Sequence, residues 1–301
     1  MKKKILLFFT LIASFNLFAN QTEKKSKKID LTPTNTVFKL DLQKDALILG
    51  SALTLIATDI ILSNIDNNVV HIDSKLNIDE VNKIDKILMR PYSKKFDLLG
   101  TGFELATAIT PLVFLSVPTT EWTTIAGMYA ETMLFAYGFK ELAKAVFDRP
   151  RPYMYFDDFP IEEVQKGDWN SSFFSGHTTL SFAAATFTTY VFCKYKPESK
   201  WKIPVIATSY TLAAATAAMR ILSGNHFLTD VAIGAVVGSI TGLLSLPNLC
   251  VRKCPSTPRL SVHSTSIRPF PMLRRRRADL RATRRERCSP CRMMCRRFLP
   301  S

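Results

Sequence analysis

The sequence predicts an all-α, polytopic membrane protein built as a bundle of about six core helices. Of its 301 residues, 47% are hydrophobic, and they cluster in long runs. Six of these runs approach the length that a membrane-crossing helix needs. Small residues crowd the last two runs, which lets helices approach closely in lipid. The runs are Ala46–Leu62, Leu99–Val117, Trp122–Phe139, Phe174–Phe192, Ile203–Ala218 and Val231–Leu246.

The N-terminal segment, residues 1–19, has the pattern of a secretory signal peptide. Three lysines precede an apolar run from Ile5 to Phe18, and Ala19 is a candidate cleavage position. An uncleaved signal anchor is the alternative. Residues 20–45 are polar and predict an exposed lead-in, and residues 46–247 then form the predicted membrane domain.

The C-terminal tail, residues 248–301, differs sharply in composition from the rest. From Cys250 onward there are 14 Arg and one Lys against two acidic residues, so the tail carries +13 of the net +15. The remainder is nearly neutral, and nucleic acid is therefore not an expected partner. The spacing of Cys288, Cys291 and Cys295 is compatible with zinc, but no matching His lies nearby, and a disordered appendage is favoured. A shifted reading frame or a fused foreign sequence would also explain the change in composition.

The first of three polar islands follows the third apolar run and reads Lys144-A-V-F-D-R-P-Arg151-Pro152. Lys144 is predicted on the helical extension and Arg151 in a loop, because Pro150 and Pro152 end the helix. Two cations on either side of a helix end can converge on one anion. The alternative is an ordinary basic flank of a membrane helix.

The other two islands also lie at predicted helix ends. Ser175, Gly176 and His177 open the fourth run, where free backbone N–H groups, a hydroxyl and a titratable ring favour an anion site. A simple serine N-cap is the alternative. The third island, Met219-Arg220-I-L-S-G-N-His226-F-L-T-Asp230, joins the last two runs.

The third island combines groups that nucleophilic chemistry on phosphate requires. His226 and Asp230 are four residues apart, so they share one face at a helix start. A carboxylate beside an imidazole fixes its tautomer and leaves the other ring nitrogen free to attack. Arg220 offers a planar fork of donors to a phosphate in front of that nitrogen. A structural His–Asp pair with an Arg near the membrane surface is the alternative.

In their order and spacing, the three islands together resemble the type-2 phosphatidic acid phosphatase superfamily, which includes lipid phosphate phosphatases, class A acid phosphatases and vanadium haloperoxidases. The family pattern is K-x6-R-P, then P-S-G-H, then S-R-x5-H-x3-D. This sequence matches it except that Phe174 replaces Pro and Met219 replaces Ser. The resemblance covers roughly residues 46–246 and implies the acid phosphatase/vanadium haloperoxidase-like helical fold.

The resemblance also implies a role for each matching residue. His226 would attack phosphorus to form a phosphohistidine, with Asp230 orienting its ring. His177 would protonate the leaving oxygen and then activate water. The phosphoryl group would be held by the remaining motif residues, with no metal ion and no cofactor. These phosphate-binding residues are Lys144, Arg151, Ser175, Gly176 and Arg220.

The expected substrate is a lipid phosphate monoester or pyrophosphate, such as phosphatidate, phosphatidylglycerol phosphate, undecaprenyl pyrophosphate or a lipid A phosphate. A vanadate-dependent haloperoxidase and a non-catalytic lipid-binding relative are the alternatives. Phe147, Tyr153, Tyr155 and Phe156 could form the rim of the site. Membrane lipids are expected partners, and the sequence leaves the oligomeric state open.

The expected location is a bacterial inner membrane, with the active site on the periplasmic face. The islands share one side with Ser63–Leu98, and the opposite side carries a lysine cluster and the tail, so the positive-inside rule places the site outside. A cleaved signal peptide followed by six crossings would place it inside, and the two arguments conflict. The lysines are Lys194, Lys196, Lys200 and Lys202.

Overall fold

The computed structural model describes Phe38 and residues 42–65, 76–165 and 167–244. The predictions for the signal peptide, most of the polar lead-in and the C-terminal tail lie outside these residues. Within them the regular structure is helical, and one isolated bridge, between Arg149 and Ser171, is the extent of strand-like pairing. The predicted all-α membrane bundle is therefore confirmed.

The described residues form six long helices and two short ones, and the six long helices correspond to the six predicted apolar runs. Among them, Trp122–Val146 and Lys202–Leu222 extend past their runs and carry the site residues Lys144 and Arg220 in their last turns. Short 3₁₀ segments occupy Ile78–Glu80, Thr110–Ser116, Thr119–Glu121 and Pro152–Tyr155. The helices are α1 (Leu42–Ile65), α2 (Lys83–Lys86), α3 (Lys94–Ala108), α4 (Trp122–Val146), α5 (Ile161–Gln165), α6 (Gly176–Tyr195), α7 (Lys202–Leu222) and α8 (Leu228–Leu244).

Three segments in the described part of the chain are long and apolar enough to cross a membrane, judged by length and composition. They are Asp45–Leu62, Lys94–Ser116 and Lys202–Leu222. Helix α8 is apolar but shorter. Helix α6 is central, because it packs against α3, α4, α7 and α8. Its buried Thr and Ser side chains therefore face other helices, where hydrogen-bond partners are within reach.

A stripe of three glycines fixes the close contact between α8 and α6. A Cβ added at Gly234 would lie 2.8 Å from the Ser175 carbonyl oxygen, and one at Gly238 would lie 2.2 Å from the Thr179 carbonyl oxygen. A Cβ at Gly242 would meet α6 equally closely. The packing role expected of these small residues is thus confirmed, and it brings the start of α6 beside the start of α8.

The segment before α3 folds over the end of the bundle where the polar islands lie. The Ser93 amide donates to the Ser223 carbonyl at 3.1 Å, and the Tyr153 amide donates to the Gly224 carbonyl, also at 3.1 Å. Gly224 has φ +73°, and a Cβ there would lie 2.6 Å from the Arg90 carbonyl oxygen. Only glycine fits this left-handed, crowded turn between α7 and α8.

Replacing Gly238 by Ala should destabilise the bundle by about 1–3 kcal/mol, because the added methyl group would force α8 away from the α6 backbone. Gly50→Ala is the matched control, since no atom lies within 4 Å of a Cβ added at that position on α1. Thermal unfolding of both variants in detergent measures the effect. Equal unfolding temperatures for the two variants would contradict the close-packing role.

Candidate active site

The three polar islands meet at one end of the bundle. The Ser175 amide, just before α6, donates to the Asp230 carbonyl oxygen at 3.1 Å, and the His226 amide donates to the Arg220 carbonyl oxygen at 3.3 Å. The side chain of Arg151 donates to Asn225 Oδ1 at 2.6 Å, so the first island contacts the third directly. The structure therefore brings the predicted residues together from three separate helix ends.

His226 is buried, with 3% of its surface exposed, in the loop between α7 and α8. Its Nδ1 lies 2.7 Å from the Ser172 carbonyl oxygen. Because a carbonyl oxygen can only accept, Nδ1 carries the hydrogen, and in the neutral ring Nε2 keeps its lone pair. This tautomer is the one that a nucleophile attacking through Nε2 requires.

The surroundings of His226 also keep its ring uncharged. Burial lowers the pKa of His226 well below its ordinary value of 6.5, and the positive charges of Arg151 and Arg220 lower it further. The hydrogen bond to Ser172 acts in the opposite direction but does not reverse the shift. The imidazole is therefore neutral across the physiological pH range.

Asp230 contacts the neighbours of His226 more closely than the ring itself. Its Oδ2 lies 4.0 Å from His226 Nδ1, beyond hydrogen-bond distance. The same oxygen accepts from Ser172 Oγ at 2.6 Å and from the Phe227 amide at 2.9 Å. The expectation that Asp230 orients the ring directly is therefore corrected: Asp230 fixes Ser172, and the Ser172 carbonyl orients the ring.

Arg149 and Asp85 extend this support; Arg149 occupies a variable position of the first motif, and Asp85 lies outside all three motifs. Arg149 forms ion pairs with Asp230 and with Asp85, and its guanidinium lies 4.3 Å from the Phe227 ring centre. Asp85, which is fully buried, also accepts from the Thr229 amide at 2.9 Å at the start of α8. Burial raises the pKa of Asp85, but hydrogen bonds from Thr229, Asn82 and Arg149 outweigh it, so the net pKa lies below 3.8.

Arg151 and Arg220 are the two guanidinium groups of the predicted anion site, and both are buried. Arg151 is ion-paired with Asp168, and Arg220 with Asp97. Asn225 joins the two pairs, because its Oδ1 accepts from Arg151 and its Nδ2 donates to Asp97 at 2.9 Å. Within the described residues, Arg220 Nε is buried and has no hydrogen-bond partner, so this donor is unsatisfied.

Lys144 lies with a second lysine, Lys140, beside the start of α6. Glu141 contacts both: it forms an ion pair with Lys140, and its Oε2 lies 3.5 Å from Lys144 Nζ. The Lys140 stem covers Gly176 so closely that a Cβ there would lie 2.6 Å from Lys140 Cδ. Lys140 is thus a cation at the site that the motif comparison did not include.

Ser175 is buried, and its Oγ lies 2.9 Å from the Thr178 Oγ1 in the first turn of α6. His177 is more open, with 33% of its side chain exposed. Its Nε2 lies 3.3 Å from Glu104 Oε2 and 3.4 Å from Thr101 Oγ1, both on α3. The two histidines therefore differ: His226 is buried, and the side chain of His177 is partly exposed.

One member of the predicted aromatic rim, Tyr153, is buried. Tyr153 is 1% exposed and packs edge-to-face against Tyr92, with 5.7 Å between the ring centres. Its amide also donates to the Gly224 carbonyl oxygen in the turn between α7 and α8. Phe147 packs against Phe173 with 4.9 Å between ring centres.

Within the described residues, no group of three or more His, Cys, Asp or Glu side chains could hold a metal ion.

The fold and the site define a helical membrane protein with buried cations and two histidines at one end of its bundle. Residues 126–249 match the family model of the PAP2 superfamily. The resemblance seen in the sequence is thereby confirmed. The matched stretch contains all three motifs, whereas Asp85, Asp97 and Glu104 precede it.

Two solved structures are similar to this chain. One is LpxE from Aquifex aeolicus, at 23% identity and a TM-score of 0.39, covering 56% of this chain and 98% of that one. The other is a transmembrane PAP2 type phosphatidylglycerolphosphate phosphatase from Bacillus subtilis, at 23% identity and a TM-score of 0.35, covering 64% of this chain and 93% of that one. No curated protein matches the sequence significantly.

Replacing Asp85 by Asn should lower the free energy of unfolding by about 1–3 kcal/mol, because Arg149 would lose a charged partner in a buried setting. Asp79→Asn is the matched control, since the Asp79 side chain is 85% exposed and its pairing with Lys86 is worth little. Chemical denaturation in detergent compares them. Equal stability of the two variants would show that the Asp85–Arg149 pair is dispensable.

The ring of His226 should remain neutral, with its hydrogen on Nδ1, at about pH 5.5, one unit below the ordinary histidine pKa. Nitrogen NMR of ring-labelled protein in detergent reports both features, and the spectrum of His226→Asn identifies the resonances. Protonation of both ring nitrogens at about pH 6 would contradict the enclosed, cation-flanked environment.

Proposed function

We propose that this chain is a membrane phosphatase that hydrolyses a lipid phosphate monoester or pyrophosphate through a phosphohistidine intermediate. The observation that carries the proposal is the arrangement at the bundle end. A neutral, correctly tautomerised His226 is enclosed by two buried arginines, one of which has an unsatisfied Nε donor. A tetrahedral phosphate suits this arrangement, because its oxygens can accept hydrogen bonds from the guanidinium groups and its phosphorus atom is the electrophile that the His226 ring attacks.

The proposed first step is an in-line displacement. His226 Nε2 attacks phosphorus as the bond from phosphorus to the leaving oxygen breaks, and His177 gives that oxygen a proton. Arg151, Arg220 and Lys144 stabilise the charge on the three equatorial oxygens of the transition state. The first amide groups of α6, including that of Gly176, add donors, because a helix start leaves its amides without helical partners.

The proposed second step returns the enzyme to its starting state. His177, now neutral, takes a proton from a water molecule, whose oxygen attacks the phosphohistidine and releases inorganic phosphate. Ser172 and Asp230 hold the His226 ring in place through both steps. In this scheme the cationic side chains supply the charge stabilisation that Mg²⁺ supplies in other phosphoryl-transfer enzymes, so metal independence belongs to the proposal.

A lipid substrate fits the position of the site. The cluster lies at the ends of apolar helices, and large apolar side chains such as Leu98, Leu105 and Leu134 are exposed on α3 and α4. A lipid could therefore keep its tails among these helices while its phosphate reaches the cations. We further propose that residues 46–247 form the catalytic domain, in a bacterial inner membrane with the site facing the periplasm.

The decisive variant is His226→Ala, which should abolish phosphate release because the nucleophile is absent. Purified wild-type and variant proteins are assayed in detergent on phosphatidate, phosphatidylglycerol phosphate, undecaprenyl pyrophosphate and a lipid A phosphate. Asp79→Asn is the control and should release phosphate at the wild-type rate, because the Asp79 side chain is exposed and lies outside the site. Brief reaction with ³²P-labelled substrate and alkaline quenching should label wild type but not His226→Ala, and excess EDTA should leave turnover intact. Full turnover by His226→Ala would refute the nucleophile assignment.

A further inference from the structure

Glu104 is a partly buried carboxylate that the proposed mechanism has not used. It lies on α3, before the stretch that matches the PAP2 family model, and inside the apolar segment Lys94–Ser116. Its side chain is only 16% exposed. An ionisable group within such a segment is costly unless a partner compensates it, so its contacts indicate its role.

The contacts of Glu104 point to His177. Its Oε2 lies 3.3 Å from His177 Nε2, and Thr101, one turn earlier on α3, places its Oγ1 3.4 Å from the same nitrogen. Because residues three apart on a helix share a face, α3 presents both oxygens to one ring nitrogen.

The other charged groups facing Glu104 have closer carboxylates of their own. The positive charges that act on Glu104 come from Arg220 on α7 and from the lysine pair on α4, Lys140 and Lys144. Arg220 is ion-paired with Asp97, and both lysines contact Glu141. Among these groups, the imidazole of His177 is therefore the one that Glu104 contacts directly.

We propose that Glu104 is a positioning residue for the leaving-group acid: it accepts a hydrogen bond from Nε2–H of His177 and stabilises the imidazolium form of that ring. This inference rests on the proposed function and deepens it. As the bond from phosphorus to the leaving oxygen breaks, the proton on Nδ1 of His177 passes to that oxygen. His177 recovers a proton when water attacks the phosphohistidine, so the proton count closes over the cycle.

This role makes the effect of Glu104 depend on the leaving group. A lipid phosphate monoester releases an alkoxide, which leaves slowly unless it is protonated, whereas 4-nitrophenyl phosphate releases a stable anion that needs no proton. Removing the Glu104 carboxylate should weaken acid catalysis by His177, and it should therefore slow only the reaction of the lipid phosphate monoester. A merely structural role of Glu104 would slow both reactions equally, because both share His226 and the phosphate-binding cations.

The test compares kcat/KM, which covers the steps through departure of the leaving group, for dioctanoyl phosphatidate and 4-nitrophenyl phosphate. Full-length protein in detergent is used as wild type, Glu104→Gln, Glu104→Asp, His177→Ala and the double variant Glu104→Gln/His177→Ala. Glu131→Gln is the matched control, because Glu131 is a buried carboxylate on α4 with no role in the site. Each variant is also checked for its unfolding temperature.

For Glu104→Gln we expect kcat/KM on phosphatidate to fall about 10- to 100-fold, the lower range for acid catalysis, and kcat/KM on 4-nitrophenyl phosphate to change about threefold or less. Glu104→Asp should recover part of the loss, and the double variant should be no slower than His177→Ala. Equal losses on both substrates, or additive losses in the double variant, would overturn the Glu104 assignment alone. Absence of wild-type turnover on both would overturn the proposed function and this inference with it.

Discussion

The bridge that Arg149 makes between Asp85 and Asp230 is the interaction on which the rest of the site depends. Both carboxylates are fully buried, and they come from segments far apart in sequence. Removing charges from water is costly, so this arrangement persists only because each carboxylate also accepts backbone and hydroxyl hydrogen bonds. The bridge ties the loop after α4 and the segment before α3 to the first turn of α8.

The orientation of His226 follows from that bridge. Asp230, held by Arg149, accepts from the Ser172 hydroxyl, and the Ser172 carbonyl accepts from Nδ1 of His226. The aspartate thus acts on the ring through one intervening residue. A carbonyl oxygen specifies the tautomer as firmly as a carboxylate would, but without a full negative charge, and burial can therefore keep the ring neutral.

The site also depends on how closely the helices pack. The glycine stripe on α8 sets its distance from α6, and Gly100 on α3 lies so near Arg220 that an added Cβ would be 3.2 Å from Arg220 Cδ. Small residues at these contacts let charged side chains lie between helices instead of facing lipid. The cations described around the site are each compensated by a neighbouring carboxylate, which limits the cost of burying them.

The helical class, the six long helices and the three islands can be predicted from the sequence alone, because apolar run length and motif spacing are properties of a contiguous stretch. The islands lie within the span that the family model matches. Asp85 and Asp97 could not be found this way, because each is a single acidic residue with no local pattern and its partner lies far along the chain. Glu104 stands out as an acidic residue inside an apolar run, but nothing in the sequence identifies His177 as its partner. Likewise, the four-residue spacing of His226 and Asp230 indicated a direct contact, but the loop before α8 turns the ring toward Ser172. Only tertiary packing decided these pairings, since hydrogen-bond partners are set by distances that spacing along the chain does not encode.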